Sequence, residues 1–191
     1  MNQDKISQHF SEHIAVIEQT RREFSSTIVQ IGEIVARALA NSGTLFWCGN
    51  GGSAADSQHI AAELVGRFKK NRRPLRSIAL TTDTSVLTCI ANDFGYDDIF
   101  ARQIEALGRP SDVLIAITTS GNSENIRCAL LKASELGLTT IALLGKGGGI
   151  CKDLADIALV IPSDTTARIQ ETHILIGHLL CEVIEQELDL A

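Results

Sequence analysis

Thr44-Leu45-Phe46-Trp47-Cys48-Gly49-Asn50-Gly51-Gly52-Ser53, continuing as Ala54-Ala55-Asp56-Ser57-Gln58-His59-Ile60-Ala61-Ala62-Glu63, joins an apolar strand to a glycine turn and then to a helix. Glycines let the backbone approach a ligand closely, and the start of the following helix offers unpaired N–H groups and a partial positive charge to an anion. Further along, His59 and Glu63 stand at i and i+4 and project from one face of that helix. Spacing alone leaves two readings open, a helix-surface hydrogen bond or a pair of metal ligands.

A second unit repeats the logic. Asp112-Val113-Leu114-Ile115-Ala116-Ile117 runs into Thr118-Thr119-Ser120-Gly121-Asn122-Ser123 and then into Glu124-Asn125-Ile126-Arg127-Cys128-Ala129-Leu130-Leu131. Thr and Ser hydroxyls crowd a helix N-terminus and can donate to phosphate oxygens, as can the amides of the first helical turn. The plainer reading is that Ser123 only caps the helix while Gly121 and Asn122 make an ordinary turn.

Strand-like runs at Thr44 to Cys48, Ser77 to Thr81, Val113 to Thr118, Thr139 to Leu144 and Ile157 to Ile161 alternate with helical segments. Continuous apolar strands require a sheet covered on both faces, so the expected architecture is α/β, a doubly wound five-stranded parallel sheet with right-handed crossovers. Ligands in such sheets sit beyond the carboxyl ends of the strands, where both turns fall. Upstream, Ile6, Phe10, Ile14 and Ile17, then Phe24, Ile28, Ile31, Val35 and Leu39, keep helical spacing. Residues 1–41 therefore read as one long or two consecutive amphipathic helices, closed by Asn41-Ser42-Gly43, with residues 44–191 as the α/β core. These helices have enough apolar surface to seek a partner, or could fold back on their own sheet.

The last segment, Thr166 to Leu188, is helical and apolar on nearly all sides, which predicts burial. Gln170, His173 and His178 interrupt it. Buried polar groups must be hydrogen-bonded or coordinated, so all three are site candidates, with a core histidine tied to a carbonyl as the alternative.

At 191 residues the chain fits one domain, or one domain with a helical appendage. The net charge of −6 argues against nucleic acid as a partner. Arg67, Lys69, Lys70, Arg72, Arg73 and Arg76 form one basic run, read as a solvated loop or as a means of steering an anionic substrate. Five scattered cysteines without a C-x-x-C pair support neither a disulfide framework nor a zinc ribbon. With no signal-like N-terminus and no apolar run long enough to span a membrane, the expected location is the cytoplasm.

Taken in order, Cys48 to Ser53, the His59/Glu63 pair, Glu63-Leu64-Val65-Gly66-Arg67-Phe68, Ala91-Asn92-Asp93-Phe94-Gly95-Tyr96, Thr119 to Ser123, and Arg168-Ile169-Gln170-Glu171-Thr172-His173 with His178 resemble the sugar isomerase (SIS) domain family, and within it the members that isomerise seven-carbon sugar phosphates. The resemblance covers essentially the whole chain and implies a single SIS domain over residues 1–191. It implies a homotetramer assembled partly through the N-terminal helices, and one Zn²⁺ per subunit on His59, Glu63, Gln170 and His178. Substrate contacts would fall on Asn50, Gly51, Gly52, Glu63, Asn92, Asp93, Thr118, Thr119, Ser120, Ser123 and Gln170. The implied reaction interconverts sedoheptulose 7-phosphate and D-glycero-D-manno-heptose 7-phosphate through an enediol, with Glu63 as base and His178 as acid. Two positions depart from the family pattern: Thr118 replaces a more usual Ser, and Ala167 stands where some members have Asp. A family member that only binds the bacterial replication initiator lacks counterparts of Glu63 and His178, which this chain has, and isomerisation of another sugar phosphate is a further alternative.

Overall fold

A computed structural model describes residues 3–190; the outermost expected domain limits, residues 1 and 191, lie outside them. The N-terminal pattern forms one helix, α1 (Gln3–Ala40), about 57 Å long at about 1.5 Å per residue. Its end differs in detail from expectation. Ser42, not Asn41 or Gly43, takes the left-handed conformation (φ 65°), while the Asn41 side chain donates to the Arg37 carbonyl and Gly43 N–H donates to the Ala38 carbonyl.

There follow β1 (Leu45–Gly49), α2 (Gly52–Val65), β2 (Ser77–Ala79), α3 (Thr84–Asp93), α4 (Ala101–Leu107), β3 (Val113–Thr118), α5 (Glu124–Glu135), β4 (Thr139–Leu144), β5 (Ile157–Val160) and α6 (Thr166–Glu187). The strands form one parallel sheet in the order β2-β1-β3-β4-β5. β2 and β5 stop short of the expected Thr81 and Ile161, yet Leu80 N–H still donates to the Trp47 carbonyl and Ile161 N–H to the Leu144 carbonyl.

Strand side chains alternate between two cores, as the two-residue period demands. Leu45, Trp47, Val113, Ile115, Ile141 and Leu143 pack beneath α1, α2 and α6. Phe46, Cys48, Leu114, Ala116, Ala142 and Leu144 pack with Ile90, Ile104 and Ile126 of α3, α4 and α5. Because β3 pairs on the opposite side of β1 from β2, the chain reverses direction between β1 and β3. That is the switch point at which such sheets open a crevice. Register puts Gly49 beside Ile117, so the glycine turn and the hydroxyl turn emerge side by side.

The helices cover less than their patterns suggest. α1 buries Ile28, Ile31, Val35 and Leu39, whereas Ile6, Phe10 and Ile14 in its first half are exposed. α6 buries Ile169, Ile176, Leu180 and Ile184, but Leu175 and Leu179 are exposed on its outer side, a correction to the expected near-complete burial. The sheet and its neighbouring helices can cover only part of a helix's circumference. Among the described residues, no helix is long and apolar enough to cross a membrane.

Candidate active site

The glycine turn is shaped by what approaches it. Gly51 holds φ +56°, unfavourable for a side chain, and a Cβ on Gly52 would lie 2.6 Å from Nε2 of Gln170. Asn50 and Asn125 exchange amide hydrogen bonds of 2.8 and 2.9 Å, and the Tyr96 hydroxyl donates to Asn50 Oδ1 at 3.1 Å. One half-buried amide pair thus ties the glycine turn to the first turn of α5.

The hydroxyl turn bears on the capping role that the position of Ser123 suggests. Ser123 occupies the N-cap position of α5, but its hydroxyl makes no cap bond and instead pairs with Thr118 Oγ1 at 3.1 Å. Ser120 Oγ accepts from Asn122 N–H at 3.1 Å and lies 3.4 Å from Thr118 Oγ1. Behind the turn, Asn122 Oδ1 accepts from Ile150 N–H and the Gly121 carbonyl from Cys151 N–H. The crevice between the turns has a volume of ≈ 70 Å³ and is lined by Asn50, Ser53, Ile117, Thr118, Thr119, Ser120, Ser123 and Gln170. Its hydroxyls and the start of a helix are donors suited to an anion of phosphate type.

α2 and α6 run alongside in the same direction, with Gly52 against Gln170 and Ile60 against Gly177. This brings His178 onto His59, their Nε2 atoms 3.3 Å apart, while His59 Nε2 lies 3.3 Å from Glu63 Oε1. Donor atoms of His59, Glu63 and His178 all fall within 4.8 Å of one another. Two imidazole nitrogens facing each other beside a carboxylate make a donor set that fits a cation such as zinc. Gln170 lines the crevice and packs on Gly52.

His173, by contrast, is a core residue. Its Nε2 meets the Leu144 carbonyl at 3.1 Å, Nδ1 has no hydrogen-bond partner among the described residues, and burial pushes its pKa down to about 4, so the ring is neutral. Asn92 and Asp93 close α3 as exposed residues joined by a 2.7 Å hydrogen bond.

The sequence pattern gave no role to Asn125 or Asp56. Asp56 lies on α2 one turn before His59. Burial raises its pKa while the nearby His59 and His178 pull it down, and its buried Oδ2 has no partner among the described residues. Its only local signal is the i, i+3 and i, i+7 spacing to His59 and Glu63. The basic run also divides. Arg72 is not solvated: its side chain is 2% exposed and pairs with Glu185 at 2.9 Å. Lys69, Lys70 and Arg73 remain exposed.

A larger cavity of ≈ 380 Å³ lies between the start of α1 and the start of α6, lined by Ile6, His9, Phe10, His13, Arg168 and Glu171. There Arg168 Nη1 donates to the His9 carbonyl and Nη2 to Glu171, while its buried Nε has no partner among the described residues. The smaller crevice lies at the carboxyl ends of the strands, is lined by several hydroxyls and shares α2 and α6 with the His59, Glu63 and His178 group, and we take it as the site.

Comparison with known proteins shows the family and the fold. Residues 8–145 match the family model described as the SIS domain. The phosphoheptose isomerase of Geotalea daltonii is 51% identical over 185 residues, spanning 97% of this chain and 96% of the relative. That of Aquifex aeolicus is 52% identical over 183 residues, spanning 96% of each. The structure of a phosphoheptose isomerase from Francisella tularensis superposes with a TM-score of 0.94 at 40% identity, covering 97% of this chain and all of that one.

Proposed function

The chain belongs to the SIS domain family, and from that premise we propose that it is an aldose–ketose isomerase interconverting sedoheptulose 7-phosphate and D-glycero-D-manno-heptose 7-phosphate. The observation that carries this reading is the pairing of a hydroxyl-lined crevice with the His59, Glu63 and His178 group through the same two helices, α2 and α6.

The phosphate is held by Thr118, Thr119, Ser120 and Ser123, with Asn50, Gly51, Gly52, Asn92, Asp93 and Gln170 contacting the rest of the sugar. Glu63 takes a proton from C1 of the ketose and returns it at C2 of the enediol. His178 protonates the C2 oxygen and receives the proton of the C1 hydroxyl, so that no proton is lost overall. Positioned groups of this kind contribute roughly 10²–10⁴-fold each. His59, Glu63, Gln170 and His178 are the proposed zinc ligands; bound there, zinc supplies a Lewis acid that polarises or orders the sugar oxygens. A carboxylate bound to a cation is a weaker base than a free one, so zinc held there would lower the basicity of Glu63.

We further propose a single SIS domain over residues 1–191 whose first forty-one residues serve assembly, a homotetramer, and a cytoplasmic location. The exposed Ile6, Phe10 and Ile14 of α1 and Leu175 and Leu179 of α6 support assembly, being apolar surface that a further copy would cover. Five free cysteines are consistent with a reducing compartment.

A coupled assay of the purified protein with sedoheptulose 7-phosphate, with and without added zinc, tests the proposal. Formation of the aldose is expected. Absence of turnover under both conditions contradicts it.

A further inference from the structure

Arg72 is the hub of a buried clamp. Its Nε donates to Glu185 Oε1 at 2.9 Å, its Nη1 to the carbonyls of Leu64 (2.7 Å), Gly66 (3.2 Å) and Arg73 (3.1 Å), and its Nη2 to the carbonyl of Glu63 (2.9 Å). Both ion-pair side chains are 2% exposed. The guanidinium therefore satisfies carbonyls at the C-terminus of α2, where a cation also complements the helix dipole. Glu185 lies on α6 two turns beyond His178, and the same Oε1 accepts from Phe68 N–H at 3.3 Å. Hooked to Glu185 in this way, the loop lays the Phe68 ring on the His178 imidazole, centroids 5.6 Å apart and planes 13° from parallel. The same imidazole also meets the His59 ring, with centroids 5.0 Å apart and planes at 72°.

We propose that Phe68, held by the Arg72–Glu185 pair, is a positioning residue that fixes the plane of the His178 ring while the same clamp fixes the main chain at Glu63. This rests on the proposed role of His178. An imidazole on a helix has two side-chain torsions to fix, and the structure gives His178 a polar contact with His59 and a flat apolar neighbour, Phe68, to do so. Groups that orient a ligating or reacting imidazole typically carry 10- to 100-fold in metal affinity or activity.

The test compares native protein with Phe68→Leu, which keeps apolar bulk but removes the flat ring, and Phe68→Tyr, which keeps the ring. Three quantities are measured: kcat and KM for sedoheptulose 7-phosphate, zinc affinity by chelator competition, and the His178 ring signals in the NMR spectrum of zinc-free protein. Phe68→Leu is expected to stay folded, lose about tenfold in kcat and in zinc affinity with KM within about twofold, and show broadened or doubled His178 signals. Phe68→Tyr is expected to restore all three. A folded Phe68→Leu whose His178 signals stay single and narrow overturns the proposal, and so does a kcat loss that Phe68→Tyr does not recover. If native protein neither turns over the sugar nor takes zinc, the proposed function fails, and the ring signals alone decide the positioning role. Should Phe68→Leu fail to fold, Arg72→Lys, which keeps the charge but not the forked donors, is read by the same ring signals and the same criteria.

Discussion

The turns after β1 and β3 are neighbours in register and both lead into helices, yet they are built on opposite chemistry. The glycine turn has few side chains of its own and is shaped by close approach: Gln170 packs on Gly52, and Asn125 holds Asn50. The ionisable groups arrive later, along α2 and across on α6. The hydroxyl turn carries its donors in the turn itself, linked to one another through Thr118 Oγ1. The difference points to a division of labour, with proton transfer on the helices and anion binding on the β3 turn.

The largest expected effect probes the helix side. Glu63→Gln keeps the shape of the side chain but removes its basicity, and kcat should fall roughly 10²–10⁴-fold with KM little changed. A comparable rise in KM instead would erase the distinction between the two turns.

α6 serves both turns, and its two histidines differ in a way that pH can expose. His173 is neutral in the fold with its pKa lowered from 6.5 to about 4, so the unfolded chain takes up the proton first as pH falls. Its contribution is complete above pH 6.5 and is lost between there and pH 4, on the order of 3 kcal/mol in all. Thermal unfolding followed over that range should show a steep acid limb that His173→Gln flattens; an unchanged limb would mean the ring is charged in the fold.

On the turn side, Ser120→Ala should raise KM about 10- to 100-fold with kcat retained, as expected for one hydrogen bond to a charged group. Ser123→Ala sharpens the point. A capping serine normally contributes about 1 kcal/mol, but this hydroxyl makes no cap bond, so denaturant unfolding should show a loss well below that alongside a raised KM. A full capping loss would return Ser123 to the plainer role its position suggests. The smallest effect is expected at the exposed basic residues. Lys70→Gln combined with Arg73→Gln should lower kcat/KM by no more than about threefold, and only at low ionic strength, where steering operates.

Much of this was legible because strands buried on both faces write continuous apolar runs, and turns at their carboxyl ends stand out by composition. His59 and Glu63 stand out by helical spacing, and Gln170 and His178 as polar breaks in an apolar helix, but only as candidates, whose proposed roles come from the family resemblance. What local pattern cannot carry is the partner far away in sequence. Arg72 looks like its basic neighbours until Glu185, 113 residues on, removes it from solvent. His173 and His178 look alike until the Leu144 carbonyl meets one and His59 the other. Ser123 has the residue type and place of a cap, and only the position of Thr118 Oγ1 reassigns it. Asp56 is marked along the chain only by its helical spacing to His59 and Glu63, and its buried oxygen has no polar partner among the described residues.

The division of labour is tested most directly by steady-state kinetics of the native protein, Glu63→Gln and Ser120→Ala with sedoheptulose 7-phosphate under one set of conditions. The expected result is turnover by the native chain, a loss confined to kcat in Glu63→Gln, and a loss confined to KM in Ser120→Ala. Equal losses of kcat in both variants with KM unchanged, or no turnover by the native chain, would contradict it.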